Sequence, residues 1–79
     1  MAGSRLVRCT LRSADGGGEV IVPSDTCTIL GGEEKGEPTA AEATNWQTEA
    51  QRMLTQTRDG LAQNNGRRAV YDSALQRLG

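Results

Sequence analysis

Histidine and phenylalanine are missing from this 79-residue chain, and Trp and Tyr occur once each. Without His, the commonest general acid–base group is unavailable. A Ser or Cys nucleophile would have to borrow Lys35 or a carboxylate as its base. Lys35 lies in a Gly/Glu stretch, which leaves its ammonium in water. A zinc site would need four Cys, or carboxylates as a poor substitute, and there are two Cys. A protein that is not an enzyme, with no cofactor, no metal and no small-molecule substrate, is the expectation.

Long apolar runs are also lacking. None approaches the roughly 20 residues of a membrane span. Met1-Ala2-Gly3-Ser4-Arg5 holds no apolar stretch of signal-peptide length. The expectation is a cytoplasmic or virion protein with no cleaved signal and no membrane partner. The large apolar residues are few: seven Leu, four Val, two Ile, two Met, one Trp and one Tyr. Such a core is marginal alone and gains from a partner or from self-association.

Excess charge of either sign is absent. Nine basic and ten acidic residues give a net charge of −1 and a pI near 5.3. A free-standing nucleic-acid binder shows a basic stripe and a high pI. Nucleic acid is therefore disfavoured as a partner, and a protein partner or a second copy is expected.

What is present begins with alternation. Val7, Cys9 and Leu11 alternate with Arg8, Thr10 and Arg12, the period-two pattern of a half-buried strand. Ser13 to Gly18 reads as a turn, in which Asp15-Gly16 is a hairpin signal. Asp15-Gly16-Gly17-Gly18 leads into no helix and lacks the Gly-Lys-Ser/Thr ending of a phosphate loop. Glu19 to Val22 returns as a β-branched strand stopped by Pro23. Ser24-Asp25 reads as a second turn, and Thr26 to Leu30 as a third strand with Cys27 and Ile29 on one face. Cys9 and Cys27 then read first as small apolar sheet residues, with a cross-strand disulfide as the alternative. Residues 31–38 have no periodicity and read as an exposed loop, with Glu33-Glu34 a solvated charge run.

Thr39-Ala40-Ala41-Glu42 matches the Thr-x-x-Glu capping box of a helix start. Ala43, Trp46, Ala50, Met53, Leu54 and Leu61 then recur at helical spacing. Gly60 loosens or ends this helix, and Asn64-Asn65-Gly66 stops it. Val70, Tyr71, Ala74, Leu75 and Leu78 mark a second helix over 67–78. The fold class is α+β: a three-stranded antiparallel β-meander (1–30), a Gly/Glu-rich loop (31–38) and a helical hairpin (39–79), all in one small domain. Trp46, on the apolar stripe, is the expected main anchor of the first helix.

The surface of that helix is polar without being highly charged. Between Thr39 and Gln63 ten residues are uncharged and polar, against five charged. Such a face can hydrogen-bond across an interface without the cost of burying charge. Arg67 and Arg68 open the second helix, where the positive dipole end disfavours them. That placement asks for a partner's acidic group or phosphate. The candidate partner-binding residues are Gln47, Gln51, Thr55, Arg58, Arg67 and Arg68. Arg67-Arg68-Ala69-Val70-Tyr71-Asp72-Ser73-Ala74-Leu75 resembles the closing segment of the J-domain co-chaperones. That family acts through a His-Pro-Asp triplet, which a chain without His does not supply, so no residue role is carried over.

The function expected is a non-catalytic interaction or assembly subunit, set as a small structural or accessory protein of a bacterial virus. The alternatives are a small inhibitor that blocks a host enzyme complex and a weak nucleic-acid module using the Arg pairs.

Overall fold

A computed structural model describes residues 4–79. Strand β1 (Leu6–Thr10) follows the expected alternation: Val7 and Cys9 are buried, and Leu6, Arg8 and Thr10 are half-buried. A 3-10 turn at Ser13–Asp15 leads into Gly16, Gly17 and Gly18, with φ of +113°, +73° and +97°. Three consecutive left-handed residues are affordable only because none carries a Cβ. Strand β2 (Glu19–Pro23) then pairs antiparallel with β1, from Leu6↔Pro23 to Thr10↔Glu19.

The stretch expected as a third strand is a helix. Ser24–Leu30 forms α1, which starts after Pro23 and is closed by Gly31 at φ +72°. The Asp25 carboxylate accepts from the Thr26 N–H at 2.9 Å, within the first turn. Thr26, Cys27 and Leu30 are buried and Ile29 only partly so. That is spacing of one helix face, not the alternation that pairs Cys27 with Ile29.

Residues assigned to the exposed loop supply the missing strand. β3 (Glu33–Glu34) pairs antiparallel with β1 through Cys9↔Glu34 and Thr10↔Glu33. The ladder continues as Lys35 N–H donates to Arg8 O at 2.7 Å and Arg8 N–H donates to Gly36 O at 2.8 Å. The strand order is β2-β1-β3, with β1 in the centre. The α+β class and the three-stranded antiparallel sheet followed by helices are as expected. The meander is not: the third strand comes from Glu33–Glu34 and lies beside β1 rather than β2, with a helix, α1, inserted before it.

Cys9 and Cys27 are joined as a disulfide, with Cα atoms 5.7 Å apart. The bridge ties β1 to α1, so Cys27 is not a sheet residue and the pair is not cross-strand. Gly32 passes directly beneath it. A Cβ on Gly32 would lie 2.6 Å from Cys9 Sγ and 2.6 Å from Thr10 O.

The capping box is formed: Thr39 Oγ1 accepts from Glu42 N–H at 3.2 Å, and Thr39 N–H donates to Glu42 Oε1 at 2.8 Å. The helix it opens is short. α2 (Ala40–Thr44) breaks at Asn45, and α3 (Trp46–Gly60) follows. α4 (Arg67–Leu78) matches the expected second helix. Gln47 at the start of α3 donates to Leu78 O at the end of α4, and Arg58 near the end of α3 bonds Asp72, midway along α4. The two helices therefore run antiparallel.

One face of the sheet, carrying Val7, Cys9, Leu11, Val20 and Val22, makes the core with α1, α3 and α4. Tyr71, Ala74 and Leu78 of α4 are buried at i, i+3 and i+7, and Ala50 and Leu54 of α3 at i and i+4. Tyr71 is the largest fully buried side chain. Trp46 is only partly buried and packs at the margin. Ala50 and Leu54, not Trp46, seat α3 on the sheet.

Candidate partner-binding surface

The most heavily bonded polar group inside the fold is a carboxylate. Asp15 follows the first strand in sequence, yet its side chain is 2% exposed. Burying an ion without partners is costly, and here it has two. Arg67 donates to Asp15 through Nη2 at 2.8 Å and Nε at 3.2 Å, and the Tyr71 hydroxyl donates to Asp15 Oδ2 at 2.9 Å. Arg67 also donates to Leu30 O, the last carbonyl of α1. Its guanidinium carbon stands 5.8 Å from the centre of the Tyr71 ring.

This network fixes its own protonation. Hydrogen bonding to Arg67 holds the Asp15 carboxyl below its ordinary value, against the opposing effect of burial. Burial first, then the bond to Asp15, pushes the Tyr71 hydroxyl up to about 12. The arrangement locks the β1–β2 turn, the end of α1 and the start of α4 into one unit. The acidic group demanded by an Arg at a helix start is thus the chain's own.

The six residues singled out from the sequence lie on α3 and α4 but do not form one site. Gln47, Gln51, Thr55 and Arg58 form one stripe of α3 at spacings of four, four and three. Gln47 bonds Leu78 O; Arg58 bonds Asp72 at 2.9 Å and Asp59 at 3.2 Å. Arg68 donates to Leu61 O at 2.9 Å, and Arg67 is held by Asp15. Gln51 and Thr55 are half-buried between them. Gln47, Arg58, Arg67 and Arg68 thus direct their hydrogen bonds to the chain's own groups.

A different surface lies open on the far side of α3. β2 is an edge of the sheet. Leu11 N–H donates to Gly18 O at 2.8 Å, and Ser24 N–H donates to Arg5 O at 2.9 Å. Hydrogen-bonded pairs alternate along an antiparallel ladder. The β2 residues that bond β1 are therefore Val20 and Val22. The backbone groups of Glu19 and Ile21 point away from the sheet, and among the described residues no strand pairs with them.

A groove of about 260 Å³ sits over this edge. Ile21 and Met53, both half-buried, give it apolar walls, and Glu19, Glu42, Glu49 and Arg52 rim it. Ile21 belongs to the outer sheet face, whereas Met53 comes from α3 on the inner face, so the groove straddles the edge. Glu42 pairs with Arg8 at 2.8 Å and Glu49 pairs with Arg52. Glu19 has no ion-pair partner among the described residues. The bond from the Thr39 backbone and then the Arg8 side chain hold Glu42 below its ordinary value, so the rim carries charge at neutral pH. Sequence reasoning missed this place. Its signal was the β-branched run ended by Pro23, which marks an edge strand.

No described helix is long and apolar enough to cross a membrane, and no described group of three His, Cys, Asp or Glu is placed to hold a metal ion. No protein-family model, curated protein or solved structure matches this chain.

Proposed function

We propose that this chain is a non-catalytic protein-interaction module that engages its partner through the open edge of β2. The observation that carries the reading is the coincidence of unpaired backbone at Glu19 and Ile21 with an apolar groove over the same edge. Exposed edges are normally blunted or covered. Glu19 and Pro23 bound this one, which discourages indiscriminate pairing and leaves a short stretch for a chosen occupant.

A role without catalysis is supported by how the reactive groups are spent. The two thiols are joined to each other. The buried carboxylate, Asp15, is committed to Arg67 and Tyr71. The disulfide also bears on location. Such bonds persist in oxidising surroundings and at virion surfaces and are rare in reducing cytoplasm. Of the two settings expected from the sequence, it favours the virion.

Photo-crosslinking in the organism that encodes the chain tests the reading. A photoreactive residue replaces Gln56, which lines the groove, or Gln76, which is exposed on α4. An adduct of discrete mass from the Gln56 position alone is the expected result. An adduct of twice the chain mass would identify a second copy as the partner. Absence of adducts, or equal yields from both positions, would overturn the proposal.

A further inference from the structure

We infer that the groove takes an extended peptide segment as a fourth strand beside β2, with a Lys or Arg set against Glu19. This rests on the interaction reading above and specifies the partner's chemistry. The outward backbone groups at Glu19 and Ile21 ask for an extended backbone, since strand addition satisfies donors and acceptors in alternation. The side chains then set the preference. A residue of the added strand opposite Ile21 meets an apolar wall. In antiparallel pairing the residue two positions later lies opposite Glu19, on the same face.

Charge selects a basic residue there. The rim holds three carboxylates against Arg52. Two of them, Glu42 and Glu49, are held in contact ion pairs; Glu19 makes none among the described residues, and feels the Arg8 guanidinium only at a distance. A second copy of this chain fits poorly. Its β2, Glu19-Val20-Ile21-Val22-Pro23, offers no basic residue. Pairing two such strands about Ile21 places Glu19 opposite Pro23, which has no N–H to donate. A polyanion such as nucleic acid meets repulsion from the same rim.

The test uses the oxidised, isotope-labelled chain and three end-blocked heptapeptides. The first is Ser-Thr-Val-Thr-Lys-Thr-Ser. The second has Glu in place of Lys, and the third is methylated on the backbone nitrogen of Val. Amide exchange and shift changes at Glu19 and Ile21 are read by NMR. The Lys peptide should protect the Ile21 N–H and bind about tenfold tighter than the Glu peptide, as expected when an attractive cross-strand pair replaces a repulsive one. The methylated peptide should give no protection. Glu19→Lys should reverse the order of the Lys and Glu peptides, and it leaves the β1–β2 ladder intact because Glu19 bonds outward.

Equal binding of the Lys and Glu peptides, unimpaired binding of the methylated one, shifts confined to another surface, or no binding at all would overturn the inference. So would protection of Ile21 that grows with protein concentration when no peptide is present. Crosslinking from Gln56 alone together with any of these results would leave the interaction reading standing and remove strand addition by a basic segment.

Discussion

The Tyr71 hydroxyl reaches 56 residues back along the chain to Asp15, donating at 2.9 Å to the same Oδ2 that accepts from Arg67. One carboxylate oxygen thus serves two side chains on successive turns of α4. The turn after β1 and the last helix cannot separate without stranding an ion that is almost fully buried.

Removing the cation should therefore cost more than removing both charges. Arg67→Met is expected to destabilise the fold by about 3–5 kcal/mol, because Asp15 is left buried and unpaired. Adding Asp15→Asn should recover part of that loss, giving a non-additive cycle. Urea unfolding of the two single variants and the double variant measures it. Strictly additive losses would mean that the pair is not coupled.

Stability should fall at both ends of the pH scale for separate reasons. Asp15 binds a proton less readily in the folded chain than in the unfolded one. Its contribution is complete above about pH 4, the unfolded value, and is lost as the pH drops through the lower folded value. Tyr71 keeps its proton more tightly when folded. Its contribution is complete below about pH 10 and is lost as the pH rises through about 12. Melting curves across pH should show Asp15→Asn flattening the acid limb and Tyr71→Phe flattening the alkaline one. Unchanged limbs would assign the losses to other groups.

Reducing the disulfide should weaken the fold without changing its course. The bridge closes a loop of sequence separation 18. A loop of that size is worth about 3 kcal/mol, or roughly 12–24 °C in Tm for a domain this small. Thermal melts with and without reductant, and of the Cys9→Ser, Cys27→Ser double variant, check this. Coincident melts would show that the bridge constrains little.

Tyr71 and Trp46 should rank opposite to their size. Tyr71→Ala empties a fully buried site and is expected to cost about 3–5 kcal/mol. Trp46→Ala, at the core margin, should cost about 1–2 kcal/mol, in proportion to the area it hides. Acrylamide should quench the Trp fluorescence of the folded chain to an intermediate degree. Full protection from quencher would restore Trp46 to the centre of the core.

Gly32→Ala should destabilise by about 1–3 kcal/mol through overpacking. The added methyl has a backbone carbonyl and a disulfide sulfur to displace, neither of them the end of a flexible side chain. Gly60→Ala, where a Cβ meets nothing within 4 Å, should be neutral or better. A comparison of their melting temperatures checks the pair.

The parts of this fold legible in the sequence are the local ones. β1 announces itself by alternation, α2 by its capping box and α4 by the spacing of Tyr71, Ala74 and Leu78. Thr26 to Leu30 misled because five residues fit either period, and their β-branched members favour a strand. Packing decides instead: Cys27 and Leu30 must share a face to meet Cys9 and α4. The third strand was hidden because Glu33 and Glu34 are exposed on both sides and carry no apolar pattern. Arg67 gave a partial signal. An Arg at a helix start is out of place unless an anion compensates, but nothing in its neighbourhood says that the anion is Asp15. The groove depends on which strand lies at the edge, and strand order is a property of the whole sheet.

The bridge between Cys9 and Cys27 has a consequence for cleavage. It makes the hairpin and the start of α1 a covalent ring, and the exposed Arg12, Gly16 and Gly18 lie on that ring. A protease that cuts there opens the ring but releases nothing. The nicked molecule gains one water in mass and travels as a single species until a reductant is added, when it parts into two. A single band before reduction is therefore no proof of an intact chain.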